Sequence, residues 1–326
     1  MDLVETHREE LRFARGRVVR GLLAVALVVA LLLPFSGKPA WIVRGTLIAI
    51  TAIGVLGQNV LIGYAGQISF GQAGFLAIGA YAFAHLMSAG IPWLLALLGA
   101  GLAAAAAGLL VGFPSLRLKG PYLAIATLGF GIAVYQLLAN VPVLSGGRTG
   151  LPLPAPRPLF GIARAVWMYC VDLLLLLLFA ALTSNLVSSY VGRAWMAVRD
   201  SEIAAEAIGV NLTRTKLLAF ALSSFYTGVH GALFAQFLGH LEPELFNPGE
   251  VLIQFVAITV GGLASIEGSI LGAVFVVLVP ALFGGARWAV PVLFGAAILA
   301  VLIFEPGGLA GRLRRARLYV ELWPFK

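Results

Sequence analysis

Gly63-Tyr-Ala-Gly-Gln-Ile-Ser-Phe-Gly-Gln-Ala-Gly-Phe-Leu-Ala-Ile-Gly-Ala-Tyr81 is apolar enough to lie in a membrane, yet it holds Gln67, Ser69 and Gln72 among five glycines. Hydrocarbon offers no partner to an amide or hydroxyl, so these side chains must face other helices or a water-lined route. Glycine at this density lets helix backbones approach closely. The stretch therefore predicts a packed, partly irregular element beside a translocation route. A tightly packed helix whose polar groups only tie neighbours together is the other reading that the spacing allows.

The 326 residues are 60% hydrophobic and only 11% charged, which excludes an ordinary soluble domain. Several apolar runs approach the roughly 20 residues that a helix needs to cross a bilayer. The expected fold is an all-α polytopic membrane protein of about ten transmembrane helices, some short or broken. Segments of about ten residues with alternating polarity, as in a membrane β-barrel, are missing. The net charge of +8 gathers at the chain ends and in particular loops. That pattern orients a chain in a lipid membrane and calls for no nucleic acid. Cys170 is the single cysteine, so no intrachain disulfide can form, and His7, His85, His230 and His240 show no metal-ligand spacing with it.

Residues 1–20 carry Arg8, Arg12, Arg15, Arg17 and Arg20 and read as a cytoplasmic head, with an uncleaved first span from Gly21 to Pro34. Further spans are expected at about Trp41–Ile62, from Gly63 to Ala89, and at Pro92–Phe113, Pro121–Val141 and Trp167–Tyr190. Pro142 to Arg164 is rich in proline and glycine and reads as an extended connection. Asp172, near the start of its span, is expected at the interface. Leu217–Leu238 comes next, followed by an acidic loop with Glu242, Glu244 and Glu250. Two shorter apolar pieces, Val251–Gly262 and Ile270–Phe283, precede a last span at Trp288–Phe304. The membrane domain is thus 21–305, with 191–216 as a cytoplasmic segment and 306–326 as a basic tail. Basic clusters at the amino end, at 117–119, in 191–216 and in the tail place both termini in the cytoplasm. Glycine-rich breaks at 63–74 and 261–269, one in each half, raise an internal repeat with a site between the halves.

Known catalytic patterns do not occur. There is no phosphate-cradling Gly-rich loop ending in Lys-Ser/Thr, no nucleophile elbow and no metalloprotease helix motif. Confident spans hold no mid-span carboxylate of the kind proton-coupled pumps use, which leaves Glu267 as the candidate for an ion-driven transporter. Gln58, Asn59, Gln67, Ser69 and Gln72 are the candidate residues of a substrate path. No metal site and no cofactor are expected on this chain.

Ala197-Val-Arg-Asp-Ser-Glu-Ile-Ala-Ala-Glu-Ala-Ile-Gly209-Val-Asn is the second informative stretch. Ser201 or Asp200 can cap a short helix whose first turn is acidic, as the helix dipole favours. Ala204, Ala205 and Ala207 give it a smooth small-residue face, and Gly209 and Asn211 end it. A short cytoplasmic helix joined rigidly to two spans suits transmission of a partner's movement; a solvated loop helix is the plainer reading.

These stretches together resemble the M-type permease subunits of bacterial ABC importers for branched-chain amino acids, the high-affinity Liv systems. The resemblance is carried by Gly63 to Tyr81, by Tyr122-Leu-Ala-Ile-Ala-Thr-Leu-Gly-Phe130 and by Arg193-Ala-Trp-Met-Ala-Val-Arg-Asp-Ser-Glu-Ile-Ala-Ala-Glu-Ala-Ile-Gly209. Leu217-Leu-Ala-Phe-Ala-Leu-Ser223, Gly261-Gly262 with Gly268, and Glu305-Pro-Gly-Gly-Leu-Ala-Gly311 extend it over nearly the whole chain. It implies a non-catalytic transport subunit of the inner membrane. Its partners would be a second permease of the H type, two ABC ATPase subunits that bind ATP and Mg, and a periplasmic binding protein. The family's Glu-Ala-Ala…Gly coupling motif maps to Ala204, Ala205 and Gly209, with Arg199, Asp200 and Glu202 beside it. Ile203 occupies the Glu position and Glu202 stands one residue early. Gln72 stands where histidine is frequent in the family. Relatives importing urea or short-chain amides share much of the pattern, so these remain alternative cargoes, and an ion-coupled secondary transporter is the alternative class.

The coupling assignment predicts that Ala205→Asp or Gly209→Val lowers ATPase-coupled uptake while membrane insertion persists. Normal uptake by well-expressed variants would remove it.

Overall fold

In a computed structural model, residues 28–36, 38–118, 120–147, 150–153, 163–247, 249–283, 289–305 and 307–322 are described. The amino-terminal head, the first half of the first expected span, Lys119, Arg148 and Arg157 lie outside them. Helix α1 (Pro39–Asn59) opens on a proline, whose missing N–H costs nothing in a first turn, and continues through one π-helical turn, Val60–Tyr64. The chain then leaves helical geometry over 65–71 and resumes it in α2 (Gln72–Ser88). Next come α3 (Trp93–Ser115), α4 (Pro121–Asn140) and α5 (Arg164–Ser188). Two short helices, α6 (Tyr190–Asp200) and α7 (Glu202–Ala207), lead into α8 (Leu212–Leu238). The chain ends in α9 (Gly249–Gly261), α10 (Ile266–Leu282), α11 (Ala289–Phe304) and α12 (Gly308–Leu322). One small antiparallel pairing, β1 (Leu151–Pro152) with β2 (His240–Leu241), ties the Pro/Gly connection to the end of α8.

The all-α membrane class is the fold observed. Among the described residues, α1 with its π turn, α3, α4, α5 and α8 are each long and apolar enough to cross a bilayer, with a sixth span if α11 and α12 count as one bent element. Helices α2, α9 and α10, at 17, 13 and 17 residues, are shorter than a full crossing requires. Counting by length alone therefore falls below the ten expected. The stretch from Gly63 to Ala89 is no continuous span: its first residues still belong to α1, and a non-helical link separates them from α2.

Helix α8 organises the packing. It runs antiparallel to α1, since Gly54 faces His230 while Gly57 faces Tyr226, three residues on in α1 and four back in α8. Helix α3 lies antiparallel on another side, with Trp93 bonded to Gln236 at one end and Gly112 beside Leu217 at the other. Helix α2 begins next to Ser223 and Thr227, in the middle of α8, and passes Gly231 by Leu76 and Ala80. It is a half-depth helix, starting inside the protein and leaving toward the Trp93 end. Gly79 crosses Gly228 so tightly that a Cβ on Gly79 would lie 2.3 Å from the Gly228 carbonyl oxygen. The crossing is a backbone-to-backbone contact of the kind small residues permit.

One reading near a helix end needs correction. Helix α5 starts at Arg164, before the expected Trp167, so Asp172 sits more than two turns inside it. It is 1% exposed, and neither carboxylate oxygen has a hydrogen-bond partner. It is a buried acid, not an interfacial one. Helix α8 starts at Leu212, where the Asn211 side chain accepts from the Arg214 N–H. Arg214 and Lys216, the last charged residues of the 191–216 segment, are therefore already helical.

Gly79→Leu is expected to force the α2–α8 crossing apart and cost at least the roughly 1–3 kcal/mol typical of overpacking. A fall in the detergent thermal midpoint and in monodisperse yield measures this; wild-type behaviour would contradict the close crossing.

Candidate translocation and coupling site

The last turn of α1, the link 65–71 and the start of α2 form a break in which several polar groups are bonded within the protein. The Ala65 N–H donates to the Val60 carbonyl and the Gln67 N–H to that of Leu61. The Phe70 N–H donates to Thr127 Oγ1 of α4 at 2.9 Å, and the Gly71 N–H to Ser69 Oγ. Burial alternates along the link as in a strand: Gln67, Ser69 and Gly71 point inward, while Gly66 and Ile68 are exposed and Phe70 is half-buried. Phe70 meets Phe255 of α9 edge-to-face, ring centroids 5.4 Å apart.

The five path candidates divide into four situations. Asn59 is a staple. Its Nδ2 donates to Ser265 O at 2.9 Å and to Ser269 Oγ at 2.7 Å, and its Oδ1 accepts from the Ala264 N–H at 2.8 Å. It thereby holds the 262–265 connection, including Ala264 in a left-handed conformation at φ 53°, against the end of α1. Gln72 clamps α2 to α8, donating through Nε2 to Ser223 Oγ and accepting at Oε1 from Thr227 Oγ1. Gln67 and Ser69 are turned inward and bond within the link, Gln67 to Ala65 O and Ser69 to the Gly71 N–H. Gln58 differs: it is fully buried, and neither its Oε1 nor its Nε2 has a partner. His230 Nδ1, on the face of α8 that meets Gly54, is unpartnered as well.

The coupling candidates cluster at the Gly63 end. Ser201 Oγ accepts from the Ala204 N–H and caps α7. Glu202 is not free for docking, because its carboxylate pairs at 2.6 Å with Lys216 of α8, whose ammonium is nearly buried. Trp195 of α6 is wholly buried and donates from Nε1 to Thr215 O. These contacts fix α6 and α7 onto α8. Ala205 packs inward at 1% exposure, whereas Ile203 and Ile208 are 82% and 76% exposed, with Ala204 and Ala207 also outward. The small-residue face expected from the alanines is therefore divided, and isoleucines dominate its outer side. Gly209 has φ +87°, so Gly209→Val strains the backbone even though the space around it is open. Arg199 pairs with Asp200 and also donates through Nη1 to the Gly63 carbonyl at 3.0 Å.

The sequence reading did not single out Lys216, Trp195, Thr227, Ser265 or Ser269 as site residues. Their partners lie far off in sequence, so no local spacing signals them. A cavity of about 410 Å³ opens near the other end of α1, between Ile42, Arg164, Met168 and Phe237, and none of the path candidates lines it. Among the described residues no three His, Cys, Asp or Glu side chains cluster as metal ligands would.

Two largely buried long helices, α1 and α8, a half-depth helix between helices, and a short helix pair fixed to α8 define the class as a multi-pass membrane protein with a packed, interrupted centre. The pattern of the family described as "Branched-chain amino acid transport system / permease component" matches residues 40–304. The chain is 36% identical over 316 residues to the high-affinity branched-chain amino acid transport system permease protein LivM of Salmonella typhimurium, covering 88% of this chain and 74% of that one. LivM of Escherichia coli is 36% identical over 314 residues, with the same coverage. The corresponding LivH of Salmonella typhimurium is 27% identical over 283 residues, covering 80% and 91%. No solved structure matches. The chain belongs to the branched-chain amino acid transport permease family.

Two neighbouring substitutions separate stapling from an unspent amide. Asn59→Leu is expected to cost about 2–4 kcal/mol, since it strands several buried partners at once. Gln58→Leu removes an amide with nothing to lose, so stability should hold or rise. Thermal midpoints of the two variants in one detergent check this; equal losses would refute the distinction.

Proposed function

We propose that this chain is the permease subunit of an ATP-driven importer that carries leucine, isoleucine and valine across a bacterial cytoplasmic membrane. A periplasmic binding protein delivers the cargo, a second permease of the H type completes the path, and two ATPase subunits supply the energy with ATP and Mg. The α6–α7 end and both termini face the cytoplasm. The observation that carries this reading is α7. It is anchored to α8 through a buried ion pair on one side and presents Ile203, Ala204, Ala207 and Ile208 on the other. A rigid apolar projection on a polar, extramembrane end needs a protein partner to cover it. The ATPase is that partner, and α7 is its docking helix.

The break supports an aliphatic cargo over urea or an amide. Its amides point inward, while the side chains on its outward face are Ile68 and Phe70, with Phe255 beside them. Branched side chains can slide on such a face, and a strongly hydrated solute gains nothing there. Gln58 keeps an unspent amide but is fully buried, so it meets cargo or its water only when the break opens.

One observation favours the second reading, an ion-coupled transporter: the buried, unpartnered Asp172. A single purification distinguishes the two. The tagged chain, extracted in mild detergent from its host, is expected to bring down a second permease and two ATPases, and Ile203→Asp to lose the ATPases while keeping the permease. Labelled leucine uptake should be competed by isoleucine and valine but not by urea. Recovery of the chain alone, with ion-driven uptake abolished by Asp172→Asn, would overturn the importer reading.

A further inference from the structure

Arg199 closes a joint between two parts of the molecule that the chain separates by more than a hundred residues. It is the penultimate residue of α6, one step before the turn into α7. Its Nη1 donates to the carbonyl of Gly63, in the π turn that ends α1. Carbonyls at a helix C-terminus lack intrahelical partners and carry the negative end of the dipole, so a guanidinium is a strong cap there. Asp200 accepts from Arg199 Nε and so holds the fork in place. The second half of the joint is steric. Gly66, the exposed residue just beyond the π turn, has φ +68°, and a Cβ there would lie 2.7 Å from Arg199 Cγ and 3.1 Å from Arg199 Cα. The link thus leaves α1 in a conformation that glycine favours, directly against the backbone of α6.

We propose that the Arg199–Gly63 joint, with Gly66 as its contact point, is the element that carries movement of α6–α7 into the break at 65–71. Arg199 is on this assignment a positioning residue that never touches the ATPase. The far end of the same break is held by α8, through Gln72 with Ser223 and Thr227. Helix α8 is in turn fixed to α6–α7 by Lys216–Glu202 and Trp195–Thr215. Displacement of α7 therefore reaches the break at both ends, and Arg199 is the direct route. The inference rests on the docking of α7 proposed above, but concerns a different residue and a different readout.

The test uses the complete complex, purified through the tagged chain and reconstituted in proteoliposomes with its binding protein. Arg199→Gln removes the fork and the charge; Arg199→Lys keeps the charge and one donor. Loss of a charge-assisted hydrogen bond corresponds to about a tenfold change in an equilibrium. Arg199→Gln is accordingly expected to lower leucine transported per ATP hydrolysed by about tenfold, with the co-purified ATPases and their hydrolysis rate retained. Arg199→Lys should recover part of the loss. Gly66→Ala, which leaves Arg199 intact but pushes the surfaces apart, should reproduce the uncoupling. A merely structural role would lower hydrolysis and transport together and leave their ratio unchanged, which overturns the inference. So does loss of the ATPases from Arg199→Gln, which would make Arg199 a docking residue. A wild-type chain that recovers no ATPase overturns the importer reading and this inference with it. ATPases present, with normal coupling in both Arg199→Gln and Gly66→Ala, overturn this inference alone.

Discussion

A backbone that leaves helical geometry inside a membrane protein must find every hydrogen-bond partner within the protein, because hydrocarbon supplies none. At four of its N–H groups, those of Ala65, Gln67, Phe70 and Gly71, the segment between Tyr64 and Gln72 meets that constraint, in part by borrowing from elements far apart in sequence. Its first amides bond back into the π turn, Thr127 of α4 takes the Phe70 N–H, and Arg199 of α6 takes the Gly63 carbonyl. A break built this way cannot shift alone. Any change in its shape is a change in its contacts with α4, α6 and α8, and that dependence is what makes a remote helix able to act on it.

The same constraint explains why polar residues near the break are mostly scaffolding. Asn59 and Gln72 look like path residues because an amide in a span is costly. Their donors and acceptors are nevertheless spent, Asn59 on the 262–265 connection and Gln72 on two hydroxyls of α8. Stapling by side-chain amides lets two half-length helices end at depth without exposing their ends to lipid. Gln58 stands apart because it lies one residue from a fully bonded amide and yet bonds to nothing. A buried amide in that state costs about 1–3 kcal/mol for each unsatisfied group, a penalty that water or cargo can offset.

Much of this fold was legible in the chain, and the failures share a cause. Apolar runs located the long spans, Ser201 was one of the two caps offered for α7, and the Gly-rich stretch announced irregular packing. What the runs could not show was direction and depth. Glycine and small residues are apolar enough to pass for a continuous span, so the half-depth start of α2 was hidden inside an unbroken hydrophobic signal. Asp172 was misplaced because α5 starts earlier than Trp167, which moved the acid from the interface to the interior. Glu202, placed beside the coupling motif, gave no sign of an ion pair because its partner Lys216 stands fourteen residues away, past a turn and a helix start. In the link itself the period is two while its neighbours have the helical period, so the inward turn of Gln67 and Ser69 could not be read from a helix-like pattern.

The order of elements adds a geometric reason for the break. A long helix followed by a short returning one occurs twice: α1 and α2 across the link 65–71, then α8 and α9 across a connection that holds β2 and a 3-10 turn at Pro243–Phe246. Because α1 and α8 run antiparallel, the two short helices leave in opposite directions, α2 toward the Trp93 end and α9 toward Asn59 and Gly63. The glycine-rich segment 261–269, paired with 63–74 by composition, is instead the tight connection between α9 and α10. The connection between α8 and α9 contains His240, Glu242 and Pro243 and fewer glycines, so it shares little composition with the first break. Phe70 and Phe255 touch where the two arrangements meet. On the proposed role of Arg199, force arriving at Gly63 would therefore fall beside the end of α9 as well, since Asn59 ties that end of α1 to Gly262.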